Sequence, residues 1–196
     1  MRSAGRLVTS RDPTQQKWVE KKYELAHAVL SRSRTVTELR WEIDVHASAD
    51  RVFSLLAGLR DYDKWLPPSS SFRGTVKISE GPIAVGTTYV EPSPLGTRYG
   101  RVTVYEPPQR LDFEQPMTLR PRLLGVLGIR VSHTLTPDGE SVHLVRVLKV
   151  APNGPVRFFM APVIRAFTAE NIRLMNAIKT VAERDAVPGD AGNTPR

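Results

Sequence analysis

The sequence predicts an α+β domain in which a curved antiparallel sheet of about seven strands wraps round one long C-terminal helix. Three observations carry this reading. Between Pro155 and Asp185, the residues Val156, Phe159, Val163, Phe167, Leu174, Ile178 and Val181 recur at steps of three, four or seven, the spacing of one helix face. Between Leu39 and Val150, short segments alternate apolar and polar residues with a period of two and are separated by Gly and Pro. Asp138-Gly139 stands between two such segments, a sequence that favours a tight hairpin with positive φ at both positions. A helix with one apolar stripe must bury it, and a sheet with one apolar face supplies the surface.

In chain order, residues 1–37 read as a basic extension, 38–186 as the core domain and 187–196 as a disordered Pro/Gly-rich tail. In the extension, Asp12, Pro13 and Gln15 form a helix start, and Trp18, Val19, Tyr23, Leu25, Ala26, Val29 and Leu30 an amphipathic stripe. This helix is expected to pack on its own domain; dimerisation and a membrane surface are the alternatives. Leu39, Trp41, Ile43 and Val45 then alternate as a strand. Ser48 caps a short helix ending near Gly58, and Asp61–Trp65 forms a second, stopped by Pro67 and Pro68.

Strands are predicted at 72–80, 87–92, 99–106, 110–115, 129–136 and 141–150. Pairing Val104 with Leu111 and Val102 with Phe113 puts apolar residues on one face, while Arg101 meets Glu114 and Thr103 meets Asp112 on the other. The last hairpin places Ile129, Val131, His133, Leu135, Val142, Leu144, Arg146, Leu148 and Val150 on one face, so His133 and Arg146 stand among apolar neighbours and need partners. Pro155 opens the final helix, and Pro162 predicts a kink that leaves Phe158–Met160 as a separately tilting lid. Asn171 interrupts the stripe, either as a helix-edge side chain or as a polar handle inside a cavity.

Several chemistries are excluded by what the chain lacks. With no cysteine there is no disulfide, thiolate zinc site or cysteine nucleophile. No Gly-x-Ser-x-Gly, His-Glu-x-x-His or phosphate-loop motif occurs, since the Gly81–Gly86 spacing lacks the following lysine. No metal site or cofactor is expected. No apolar run approaches the roughly 18–20 residues of a membrane span and no signal-peptide core begins the chain, which places it in the cytoplasm. Of the net charge of +8, residues 1–40 supply an excess of five, nine Lys or Arg against four acids. Residues 12–34 thus suit an anionic membrane surface or a protein partner. Without aromatics interleaved among the basic residues, specific nucleic-acid binding is not expected.

The run Trp41-Glu-Ile-Asp-Val-His-Ala-Ser-Ala-Asp-Arg-Val-Phe-Ser-Leu-Leu56 resembles the opening strand and helix of the SRPBCC superfamily, the START-like or helix-grip proteins. Trp65 with Pro67, Gly86-Thr87, the Val102–Leu111 stretch and the C-terminal helix follow in matching order, and the branch most resembled is polyketide cyclase/dehydrase and lipid transport. The resemblance covers about Leu39–Asp185 and implies a seven-stranded sheet round the long helix with a ligand cavity between them. It implies no particular reaction. The histidines His27, His46, His133 and His143 lack the facial-triad spacing of the superfamily's oxygenases.

The expected cavity draws on Trp65, Tyr89, Val102, Val104, Phe113, Val131, Leu144, Phe159, Val163, Phe167 and Asn171. His133 is the candidate proton carrier and Arg146 the candidate oxyanion holder. Tyr89 could add a hydroxyl, as could Tyr99 if the register bends there, while Glu91, Asp61 and Asp63 read as solvated rim acids and His143 as outward. Three functions follow: a carrier or sensor binding a lipid, isoprenoid or polyketide-like molecule, a metal-free cyclase or dehydratase using His133 and Arg146, and an interaction module acting through the basic helix.

Overall fold

The structure, a computed structural model, describes residues 35–69 and 72–184 together with Lys17, Lys21, Tyr23, Glu24, His27 and Ala28, which are helical. The predicted helix start at Asp12, the stripe residues Trp18, Val19, Leu25, Ala26, Val29 and Leu30, and the tail over 187–196 lie outside the described residues.

Strand β1 (Thr37–Val45) alternates half-buried and exposed side chains along its length, as its sequence does. Ser48 caps α1 (Ala49–Ala57) by accepting a hydrogen bond from the Arg51 amide at 3.2 Å, and Gly58 ends it. The short α2 (Tyr62–Trp65) follows. Then come β2 (Thr88–Ser93), β3 (Gly96–Glu106), β4 (Arg110–Glu114), β5 (Met117–Leu119), β6 (Val126–Asp138) and β7 (Ser141–Asn153). All pair antiparallel in the order β1-β7-β6-β4-β3-β2, with β5 joining β3 and β6. A 3₁₀ turn (Pro155–Phe159) leads into α3 (Met160–Arg184). Helix α3 packs on β1 and α1, and α1 lies against β4, β6 and β7. No helix among the described residues is long and apolar enough to cross a membrane.

The sheet corrects the predicted strands in two places. Residues 72–80 hold one bridge, Val76 to Val90, because Gly74 and Lys77 adopt positive φ and turn the backbone out of any ladder. The strand number is restored by Met117–Leu119, whose three residues are too few for a periodicity to show.

The residues expected on the inner face of the β6–β7 hairpin share it, but the register is shifted by two from the one an Asp138-Gly139 turn would set, which would bring His133 opposite Leu144: Ile129 faces Val150, Val131 faces Leu148, His133 faces Arg146 and Leu135 faces Leu144. The turn itself differs. Asp138 pairs with Ser141, so Gly139 and Glu140 are its central residues and only Gly139 has positive φ, 60°. Between β3 and β4, Arg101–Glu114 and Val102–Phe113 pair as expected, but a bulge at Thr103 then sets Val104 opposite Asp112 and Tyr105 opposite Leu111. One inserted residue reverses the alternation, so Tyr105 reaches the core, edge-on to Phe53, and Val104 does not.

The break expected at Pro162 comes earlier, between Phe159 and Met160. Proline in the first turn of α3 removes an N–H that has no helical acceptor, so the helix continues through it. Of the described N-terminal residues, Tyr23 and His27 lie on the outer face of the sheet. There the Tyr23 hydroxyl donates to Glu114, His27 Nδ1 meets the same carboxylate at 2.5 Å, and Arg101 covers the Tyr23 ring at 5.0 Å. Burial pushes Glu114 up, but the hydrogen bonds from Tyr23 and His27 and the charge of Arg130 together hold it below the ordinary carboxylate range.

Candidate functional site

Two hollows lie side by side against the first half of α3. The larger, about 410 Å³, is lined by Met117 and Leu119 of β5, Leu127 of β6, Leu124, Val156 and, from the helix side, Phe159, Pro162, Val163, Ala166 and Phe167. Its size falls within the roughly 300–1,000 Å³ of small-molecule sites. The smaller, about 60 Å³, holds Tyr62, Glu91, Arg98, Gln115, His133, Arg146, Glu170 and Asn171 among Phe72, Phe113, Leu148 and Phe167. Arg98 and Phe167 border both.

The strands and helix place the polar groups directly. His133 and Arg146 are cross-strand partners on the inner face, and Asn171 is presented to them by α3. Arg146 Nε donates to Asn171 Oδ1 at 2.6 Å, and its Nη1 donates to His133 Nε2. Asn171 Nδ2 donates to the Phe167 carbonyl at 2.7 Å, which fixes the amide orientation. His133 Nδ1 donates to the Leu111 carbonyl at 3.0 Å. The Leu111 carbonyl can only accept, so the imidazole proton sits on Nδ1 and the Nε2 lone pair is taken by Arg146.

Burial, and then the charge of Arg146, holds His133 well below its ordinary range, so it is neutral at neutral pH. Burial also lowers Arg146 to about 10, which leaves it charged. Its two side-chain partners are neutral, and among the described residues no carboxylate stands within ion-pair distance of it. Glu91, in the same chamber, acts on it through space only, so a half-buried guanidinium whose side-chain hydrogen-bond partners are neutral is left able to bind an oxygen anion or a strongly polarised carbonyl.

Glu91 is buried rather than solvated at the rim: Arg98 Nη1 binds it at 2.9 Å and Thr75 Oγ1 donates to it at 3.3 Å. Burial raises its pKa and the Arg98 charge opposes the rise. Its position in β2 beside Pro92 gave no hint of this, because the partner lies on the neighbouring strand. Tyr62 was also missed. Its hydroxyl donates to the Leu56 carbonyl at 2.5 Å, and burial pushes its pKa up. Asp61 and Asp63 are exposed, and His143 meets Asp44 at 2.6 Å on the outside, as expected.

Of the expected lining residues, Phe113, Phe159, Val163, Phe167 and Asn171 border the hollows. Tyr89, Val102, Val131 and Leu144 belong instead to the packed core, and Trp65 is half-buried against it. Tyr89 is fully buried over Gly100, where a Cβ would stand 2.2 Å from its ring, and its hydroxyl accepts from Gln115 Nε2 at 2.5 Å. Val104 is carried off the inner face by the bulge, and Tyr99 joins Val90 and Val76 in a separate small cluster, so it brings no hydroxyl to the site.

The fold has solved relatives. Norcoclaurine synthase from Thalictrum flavum superposes with a TM-score of 0.61 at 15% identity, covering 78% of this chain and 97% of that one. Protein Mll3558 from Rhizobium loti gives 0.57 at 20% identity over 74% and 96%, and CV1439 from Chromobacterium violaceum gives 0.52 at 17% over 74% and 96%. At these identities the likeness concerns the fold alone. No curated protein matches the sequence. Residues 36–183 match the family of polyketide cyclase / dehydrase and lipid transport proteins, and the chain therefore belongs to that family, within the SRPBCC superfamily.

Proposed function

We propose that the chain is a carrier or sensor for an apolar small molecule of lipid, isoprenoid or polyketide type that ends in an acidic or carbonyl oxygen. The apolar body occupies the hollow under Phe159–Phe167, and the oxygen points past Arg98 and Phe167 toward Arg146. The observation that carries this reading is the half-buried Arg146 guanidinium, held in place by His133 and Asn171 and, among the described residues, in ion-pair contact with no carboxylate. A cyclase or dehydratase would need His133 to accept a proton on Nε2. That lone pair is engaged by a cation and the ring is held neutral, an arrangement that favours binding over turnover.

The test is displacement of a fluorescent fatty acid by palmitic acid and by its methyl ester. The acid is expected to bind at least about tenfold more tightly than the ester, since a charge-assisted hydrogen bond is worth roughly 1.5–3 kcal/mol. Arg146→Met should level the two. The proposal fails if no amphiphile displaces the probe, or if Arg146→Met leaves the preference for the acid intact.

A further inference from the structure

Four large apolar side chains are exposed at one end of the molecule: Leu95 (47%), Leu123 (73%), Phe158 (71%) and Phe159 (59%). They come from the β2–β3 turn, the 3₁₀ turn Arg122–Leu124 and the 3₁₀ turn Pro155–Phe159. The two 3₁₀ turns are held together by Gly125 and Gly154. A Cβ on Gly125 would lie 2.1 Å from the Asn153 carbonyl oxygen, so no larger residue permits this approach. Leu95 is tied to the same end by its carbonyl, which accepts from the Arg120 amide at 2.9 Å. Leu95 and Phe159 are at once exposed and part of the wall of the 410 Å³ hollow, so this apolar end is the rim of its opening.

The charge of the rim is one-sided. In residues 93–98, 117–128 and 152–167 every charged side chain is an arginine. Arg120, Arg122 and Arg157 are exposed, and the Arg157 guanidinium lies 4.7 Å from the centre of the Phe158 ring. Protruding aromatic and leucine side chains with interspersed arginines match an interface where rings enter the acyl boundary and guanidinium groups remain among phosphates. From this rim we infer that the chain docks on an anionic membrane surface through Leu95, Leu123, Phe158 and Phe159, with Arg120, Arg122 and Arg157 on the headgroups. The mouth of the hollow then faces the bilayer, and an apolar ligand passes between the two without crossing water. The surface is distinct from the basic N-terminal segment, whose Tyr23 and His27 are occupied on the outer face of the sheet.

The experiment is flotation of the full chain, without added ligand, with vesicles of phosphatidylcholine alone and of equal phosphatidylcholine and phosphatidylglycerol. Binding is expected on the anionic vesicles only and should weaken with salt. Arg120→Gln with Arg122→Gln should lower it roughly 25-fold, at about fivefold per charge. Phe158→Ser with Phe159→Ser should lower it roughly tenfold or more. Lys17→Gln with Lys21→Gln should leave it within about twofold, because the inference assigns the headgroup contacts to the rim arginines. All the substituted side chains are exposed, and circular dichroism of each pair verifies the fold independently of the other. Equal retention on both vesicle types overturns the inference. So does loss that follows Lys17 and Lys21 rather than the rim, or retention on polyglutamate with none on vesicles.

Discussion

From Asn171 to Ala182 the inward residues of α3, namely Asn171, Met175, Ile178 and Ala182, are buried, whereas in the first turns Val163 and Phe167 are only half-buried, and Phe159, in the 3₁₀ turn just before the helix, is exposed. Both halves carry the same apolar stripe. The second half meets β1 and α1, which fill the space opposite it. The first half stands over β5 and the β2–β3 end of the sheet, where the opposing side chains stop short and leave the hollow. An amphipathic helix is thus used twice, once to hold the domain together and once to roof a space, and the difference lies in the surface opposite.

The sharpest test of that contrast is truncation on each half. Ile178→Ala removes a fully buried side chain and is expected to cost about 2–5 kcal/mol in denaturant unfolding. Val163→Ala, already facing open space, should cost less than about 1 kcal/mol and weaken amphiphile binding instead. Equal losses at the two sites would remove the distinction between packed and roofing halves.

At the junction of the halves, the His133–Arg146–Asn171 cluster predicts a pH response. Folded His133 resists protonation that unfolded His133 undergoes below about pH 6.5. Stability is therefore complete above that pH and declines as pH falls, by at most about 1.4 kcal/mol per pH unit for this one group. Thermal melts of wild type and His133→Gln across pH 5–7 check this, with the slope expected to be shallower in the variant. Parallel profiles would mean that the folded protein accepts the proton.

The smallest expected effect is kinetic. Amides of Phe158–Met160, in the 3₁₀ turn and helix start, should exchange hydrogen faster than those of Asn171–Val181 in the empty protein. Equal protection would mean that the roof is as rigid as the packed half.

Much of the fold was legible because periodicity reports which face of an element is covered. The alternation over β1, β6 and β7 placed His133 and Arg146 together on the inner face, and the register bears this out. Asn171 showed as a gap in the helical stripe, without revealing that Arg146 fills it. Other features left no local trace. The burial of Glu91 depends on Arg98 seven residues away across a hairpin, and the departure of Val104 from the inner face depends on one extra residue in β3. Strand β5 is shorter than the window in which alternation can be seen.

By itself, then, the sequence determined the α+β class, the presence of the last hairpin though not its turn residues, the capped α1, the apolar face of the sheet and the family to which the chain belongs, since each rests on residues near one another in the chain. Only the tertiary structure decided that the space under α3 divides into a polar chamber and an apolar hollow, and that the hollow opens at an arginine-flanked rim. Those depend on how far the bulged sheet curves away from the helix, and curvature is set by contacts between strands distant in sequence.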